Sequence, residues 1–196
     1  NNVKIGENVY IEVPDIKIHE KTTIGSNCDL VASKLEIGPS NRVGKSVRID
    51  ISGGRYHDSN FVTGRGCLIA DEAYINVCRQ VELGDHVALS PRSMVFTHSY
   101  WQSVLNGYSA TFGPVKFEED SWLGAASQVL TNIVVGSGAI IMSGSVVIAN
   151  VNKETMVGGV PAKPIKENIK KMLPEDTSFE ELKNIFNDFT NYLVAD

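Results

Sequence analysis

The chain has 196 residues, 42% of them apolar, which is long and apolar enough to bury a core as one domain. A formal net charge of −5 argues against a nucleic-acid partner, and no run of about 18 apolar residues is present to span a membrane. Cys28, Cys67 and Cys78 are an odd count without CxxC spacing, and no basic-then-apolar leader opens the chain, so the expectation is reduced packing thiols in a cytoplasmic protein.

From the first residues a six-residue rhythm of large aliphatic side chains runs through the sequence. Ile5 and Ile11 are followed by Ile18, Ile24 and Leu30, then by Ile37, Val43 and Ile49. After a break, Ile69, Ile75 and Val81 continue it, then Leu83, Leu89 and Val95. After a second break come Phe117, Leu123, Val129, Val135, Ile141 and Val147. Four residues beyond many of these stands a small one, such as Ser121, Ser127, Ala139 and Ser145. Gly25, Gly44, Gly84 and Gly124 directly follow their aliphatic residues.

A period of six fits neither a helix nor a long alternating strand. It fits short parallel strands joined by sharp corners, with three strands closing a coil. Coils stacked about 4.8 Å apart bury the aliphatic columns, and about seven of them make a prism roughly 34 Å tall. Glycine is expected to supply backbone freedom at the corners. The prism should end near Pro161, giving a domain over 1–166 and a tail over 167–196. In the tail, Ser178 and Glu181 read as a capping box. Phe179, Leu182, Phe186, Phe189 and Leu193 then follow helical spacing, for a helix packed on the prism end or on a neighbouring subunit.

The two breaks carry the unusual residues. Residues 50–66 lose the beat around Gly53-Gly54, and residues 98–114 lose it again in a protruding loop opened by His98. A histidine there suits a general base, and equally a surface loop position. The loop's Tyr100, Trp101, Leu105, Tyr108 and Phe112 suit sugar rings or a subunit interface. Histidines 19, 57, 86 and 98 include no close pair, which argues against a metal site. Trp122, just before the inward Leu123, faces outward, where a neighbouring subunit or a ligand would cover it. Lys163, Lys166, Lys170 and Lys171 cluster after the last coil, as phosphate partners or as a solvated run.

These hexads, with Ser121-Trp122-Leu123-Gly124 and Gly158-Gly159-Val160-Pro161-Ala162-Lys163, resemble the hexapeptide-repeat acyltransferases, in particular the branch that O-acetylates sugars and polysaccharides. The resemblance implies an all-β fold, a left-handed parallel β-helix with a C-terminal α-helical tail, assembled as a homotrimer with acetyl-CoA in the groove between two prisms. Thr97-His98, followed by Gly113-Pro114-Val115, matches the position of that branch's catalytic histidine. The resemblance further implies an acceptor contact from Asn76, and of the loop aromatics Trp101 is the candidate to meet the acceptor. It implies coenzyme A contacts from Trp122, Gly124, Ala125, Ser143, Pro161, Lys163 and Lys166. The acetyl group would pass directly to a sugar or polysaccharide hydroxyl. The alternatives are an N-acetyltransferase for an aminosugar nucleotide and a non-catalytic β-helix scaffold.

Overall fold

A hexad turns one large side chain inward per strand, and three hexads return the chain above its starting strand. In the computed structural model, which describes residues 2–170 and 175–194 (side chains from 2–170 and 177–187), the chain winds on this plan into a left-handed parallel β-helix followed by a single α-helix. Sheet A has nine strands from Lys4–Ile5 to Ala162–Lys166, sheet B seven from Tyr10–Glu12 to Val146–Val147, and sheet C six from Asp15–Ile18 to Ile133–Val135. All pairs within them are parallel except the last of sheet A, where Ala162–Lys166 folds back on Met156–Gly159.

The aliphatic columns form as the rhythm requires. In sheet A, Ile24, Val43, Ile69, Leu89, Leu123, Ile141 and Val157 pair in register, each at most 4% exposed. Burying each contributes about 1.5–3 kcal/mol. Ile5 heads this column and Ile11 the one in sheet B, but they remain 51% and 37% exposed because no described residue covers the outer side of their coil.

Two expectations about the repeat are corrected. The rhythm does not stop across residues 50–66: the strand Asn60–Thr63 lies inside that stretch, with Phe61 on Leu35 and Thr63 on Ile37. Thr63 hides the pattern because a hydroxyl stands in the aliphatic column. It accepts from Asn41 Nδ2 at 2.6 Å, and Asn41 Oδ1 accepts from the Cys67 N–H, so the buried polar pair is satisfied. The glycines after the aliphatic residues are needed for close approach rather than for unusual dihedrals: a Cβ at Gly124 would sit 2.5 Å from the Ile141 carbonyl oxygen. Positive φ at the corners falls on other residues, including Asn27, Ser46 and Ala126.

The helix α1, Glu175–Val194, begins before Ser178, so Ser178 lies within it rather than at its cap. Phe179, Leu182 and Phe186 are 80%, 56% and 62% exposed and so are not buried against the prism; the side chains of Phe189 and Leu193 lie outside the described residues. No helix among the described residues is long and apolar enough to cross a membrane.

Candidate functional site

Both departures from the coil leave sheet B at the same corner, the one shared with sheet C. Residues 51–59 leave after the strand Arg48–Asp50, and residues 98–114 leave after Met94–Val95. Between these two coils runs Tyr74–Asn76, with Asn76 paired to Asp50 and Ile75 to Val95. The later departure is a hairpin in which His98–Ser99 pairs antiparallel with Thr111–Phe112. Segments distant in sequence therefore meet at one corner, where Gly53, Asn76 and Phe112 surround His98.

His98 stands at the base of that hairpin, half-buried. Its Nδ1 lies 2.9 Å from Asn76 Oδ1. Asn76 is fully buried and its amide orientation is over-determined. Nδ2 donates to Ser52 O at 2.7 Å and to Asp50 Oδ1 at 3.2 Å, while Oδ1 receives the Thr97 hydroxyl at 2.7 Å and the Cys78 N–H at 3.3 Å. An oxygen so placed requires His98 Nδ1 to donate, which leaves Nε2 as an acceptor with no partner among the described residues. Burial pushes the imidazole pKa below its ordinary value, and the negative charge of Asp50 partly offsets this.

Asp50 anchors the network. Its Oδ1 also accepts from the Ser52 N–H and the Tyr74 hydroxyl, each at 3.0 Å, and Arg48 Nη2 lies 2.9 Å from Oδ2 without hydrogen-bond alignment. Gly53 closes one side of the imidazole: it has φ +103°, and a Cβ there would meet the ring at 2.9 Å. Tyr100 and Phe112 close other sides, with ring centroids 5.5 Å and 6.3 Å from that of the imidazole.

Asn76 therefore does not face an acceptor as expected; its amide is committed to holding His98. Trp101 is 90% exposed at the hairpin, and the rings against His98 are Tyr100 and Phe112 instead. Sequence reading missed Asp50 and Gly53 as parts of this corner. The only signal was that both breaks follow strands of one sheet.

The other candidate residues lie elsewhere. Trp122 is on the outer face of sheet A, opposite the B–C corner of a three-sided prism. It is 47% exposed and donates its Nε1–H to Ser90 Oγ at 2.7 Å. The Gly124 N–H is spent on the Ile141 carbonyl, whereas those of Ala125 and Ser143 make no hydrogen bond with a described residue. On the same face, a cavity of about 440 Å³ runs beside Asp120, Ile140, Met156, Lys166, Ile169 and Lys170. Lys163 lines a separate hollow with Val147, Asn150 and Pro164. The two lysines therefore do not share a pocket, and Lys171 lies outside the described residues. Pro161 is exposed at the turn between the last two strands of sheet A. Among the described residues, no group of three or more His, Cys, Asp or Glu side chains is gathered as a metal site.

No protein-family model matches the chain. A serine acetyltransferase of Salmonella typhimurium is 26% identical over 160 residues, which are 80% of this chain and 48% of that protein. The chain spans about half or less of the length of the curated relatives it matches. Among solved structures, a point mutant of AntD is similar with a TM-score of 0.59 and 18% identity, over 94% of this chain and 90% of that one. AntD is an N-acyltransferase from Bacillus cereus, solved with dTDP-4-amino-4,6-dideoxyglucose and coenzyme A. The polySia-specific acetyltransferase NeuO gives 0.55 and 17%, over 89% and 84%. In sequence and in fold, the chain is similar to the acetyltransferases built as hexapeptide-repeat left-handed β-helices.

Proposed function

We propose that this chain is an acetyl-CoA-dependent O-acetyltransferase acting on a hydroxyl of a sugar or surface polysaccharide in the cytoplasm, with His98 as general base. The observation that carries this reading is the half-buried imidazole held through Nδ1 by Asn76 and flanked by the rings of Tyr100 and Phe112, with no partner on Nε2 among the described residues. Nε2 takes the proton of the acceptor hydroxyl as its oxygen attacks the acetyl carbonyl of the thioester, then returns it to the departing sulfur. A backbone N–H stabilises the oxyanion between these steps. The three thiols are buried, with Cys67 pushed up to about 11 by burial, which supports direct transfer without an acyl-cysteine.

Acetyl-CoA would lie along the outer face of sheet A, with its pantetheine arm on Trp122 and the free N–H groups of Ala125 and Ser143. Its phosphates would lie near Lys166, and Lys163 would contribute less. That face is on the far side of the prism from His98, so a complete site needs two copies of the chain. A homotrimer supplies three equivalent seams of this kind.

Transfer to the amine of an aminosugar nucleotide is the second reading, favoured by the likeness to AntD. The test is release of free thiol from acetyl-CoA with matched hydroxyl and amino sugars. Hydroxyl-dependent release that falls about 10²–10⁴-fold in kcat for His98→Ala supports the proposal. Release with amines alone supports the second reading, and no release with any acceptor indicates a non-catalytic scaffold.

A further inference from the structure

Arg79 lies on the coil between the two departures, at the turn that follows Asn76. Its backbone N–H donates to Thr97 Oγ1 at 3.0 Å, next to His98. Its guanidinium carbon lies 3.6 Å from the ring centroid of Tyr56 and 5.5 Å from that of Phe112, so each departure contributes one ring to its surroundings. Tyr56 and Phe112 also touch edge to face at 6.2 Å.

A guanidinium set among rings has only its edge of N–H donors left to offer. Of five such donors, the one with a partner among the described residues is on Nη1, which reaches Asp58 Oδ1 at a long 3.4 Å. The side chain is 23% exposed. Phe112 is also the ring stacked on His98, and the two distances through it place guanidinium and imidazole within about 12 Å of each other.

We infer that Arg79 is the anion-binding residue of the acceptor site, so that the acceptor is an acidic sugar bearing a carboxylate or a phosphate. Two anion oxygens meet the N–H edge side by side, displacing the weak contact to Asp58, while the hydroxyl to be acetylated meets His98 Nε2. In a chain of net charge −5, an acidic acceptor needs such a local cation to approach. This rests on the reading of the His98 corner as the acceptor site.

The test uses the full chain with three probes: glucuronate, glucose 6-phosphate and neutral glucose. Calorimetric binding without acetyl-CoA is measured alongside kcat/KM with it. The inference expects at least one acidic probe to bind tighter than glucose, the carboxylate and phosphate arms showing which anion fits. Arg79→Gln should reduce the acidic-over-neutral ratio about 10–100-fold, with Arg79→Lys recovering part of it. Equal binding of all three probes, or a ratio unchanged in Arg79→Gln, would overturn it. Arg79-dependent anion binding without any acetyl transfer would uphold the inference and remove the transferase reading instead.

Discussion

His98 Nδ1 sits 2.9 Å from Asn76 Oδ1, and that oxygen also receives the Thr97 hydroxyl and the Cys78 N–H. The amide nitrogen on the other side is held by Ser52 O and Asp50 Oδ1. The imidazole tautomer is thus set by a chain of buried bonds running back two coils. Asn76→Ala removes the ring's only polar anchor among the described residues. It should lower kcat about 10–100-fold while leaving the KM for acetyl-CoA nearly unchanged. Steady-state kinetics on the folded variant check this, and a loss confined to KM would contradict it.

The pH profile follows from the same environment. A general base works when neutral, and burial lowers the His98 pKa below its ordinary value of 6.5. Activity should therefore be retained as pH falls through 6.5 and be lost only at a lower pH, where the imidazole gains its proton. Asp50→Asn removes the negative charge that opposes the shift, so the acidic limb of kcat/KM should move lower still. A limb centred above 6.5 in the wild-type chain would count against His98 as the titrating base.

Gly53 and Gly107 separate local strain from damage to the site. Both have positive φ, but a Cβ at Gly53 would meet the His98 ring at 2.9 Å, whereas one at Gly107 would meet nothing within 4 Å. Alanine at either position should cost about 1 kcal/mol of stability through the backbone. Gly53→Ala alone should displace the imidazole and lower kcat/KM at least about tenfold. Similar kinetics in the two variants would mean that Gly53 does not position the ring.

How much of this was legible in the sequence depended on periodicity. Columns such as Ile24–Val43–Ile69–Leu89–Leu123 could be read because one aliphatic residue recurs per hexad and its burial drives the fold. Thr63 escaped notice because a hydroxyl paired with Asn41 fills an aliphatic position, and a hydropathy pattern does not register a satisfied polar pair. His98 was legible from the break it opens. Asn76 was visible as a residue, but its role depends on bonds to Asp50, Ser52 and Thr97, which lie 26, 24 and 21 positions away. Spacing along the chain does not encode those bonds until the coil count is known. Trp101 and Tyr100 are adjacent aromatics in one loop, and only the hairpin pairing decides which of them meets the imidazole.

The central claim is that His98 of one copy and the sheet A face bearing Trp122 of another make one site. Inter-subunit complementation tests it most directly. His98→Ala and Trp122→Ala chains, each silent alone at limiting acetyl-CoA, are co-assembled in equal amounts and assayed together. Random mixing should restore about a quarter of the sites and a matching share of activity. Mixed assemblies as inactive as either parent, with subunit exchange verified by mass, would contradict the account.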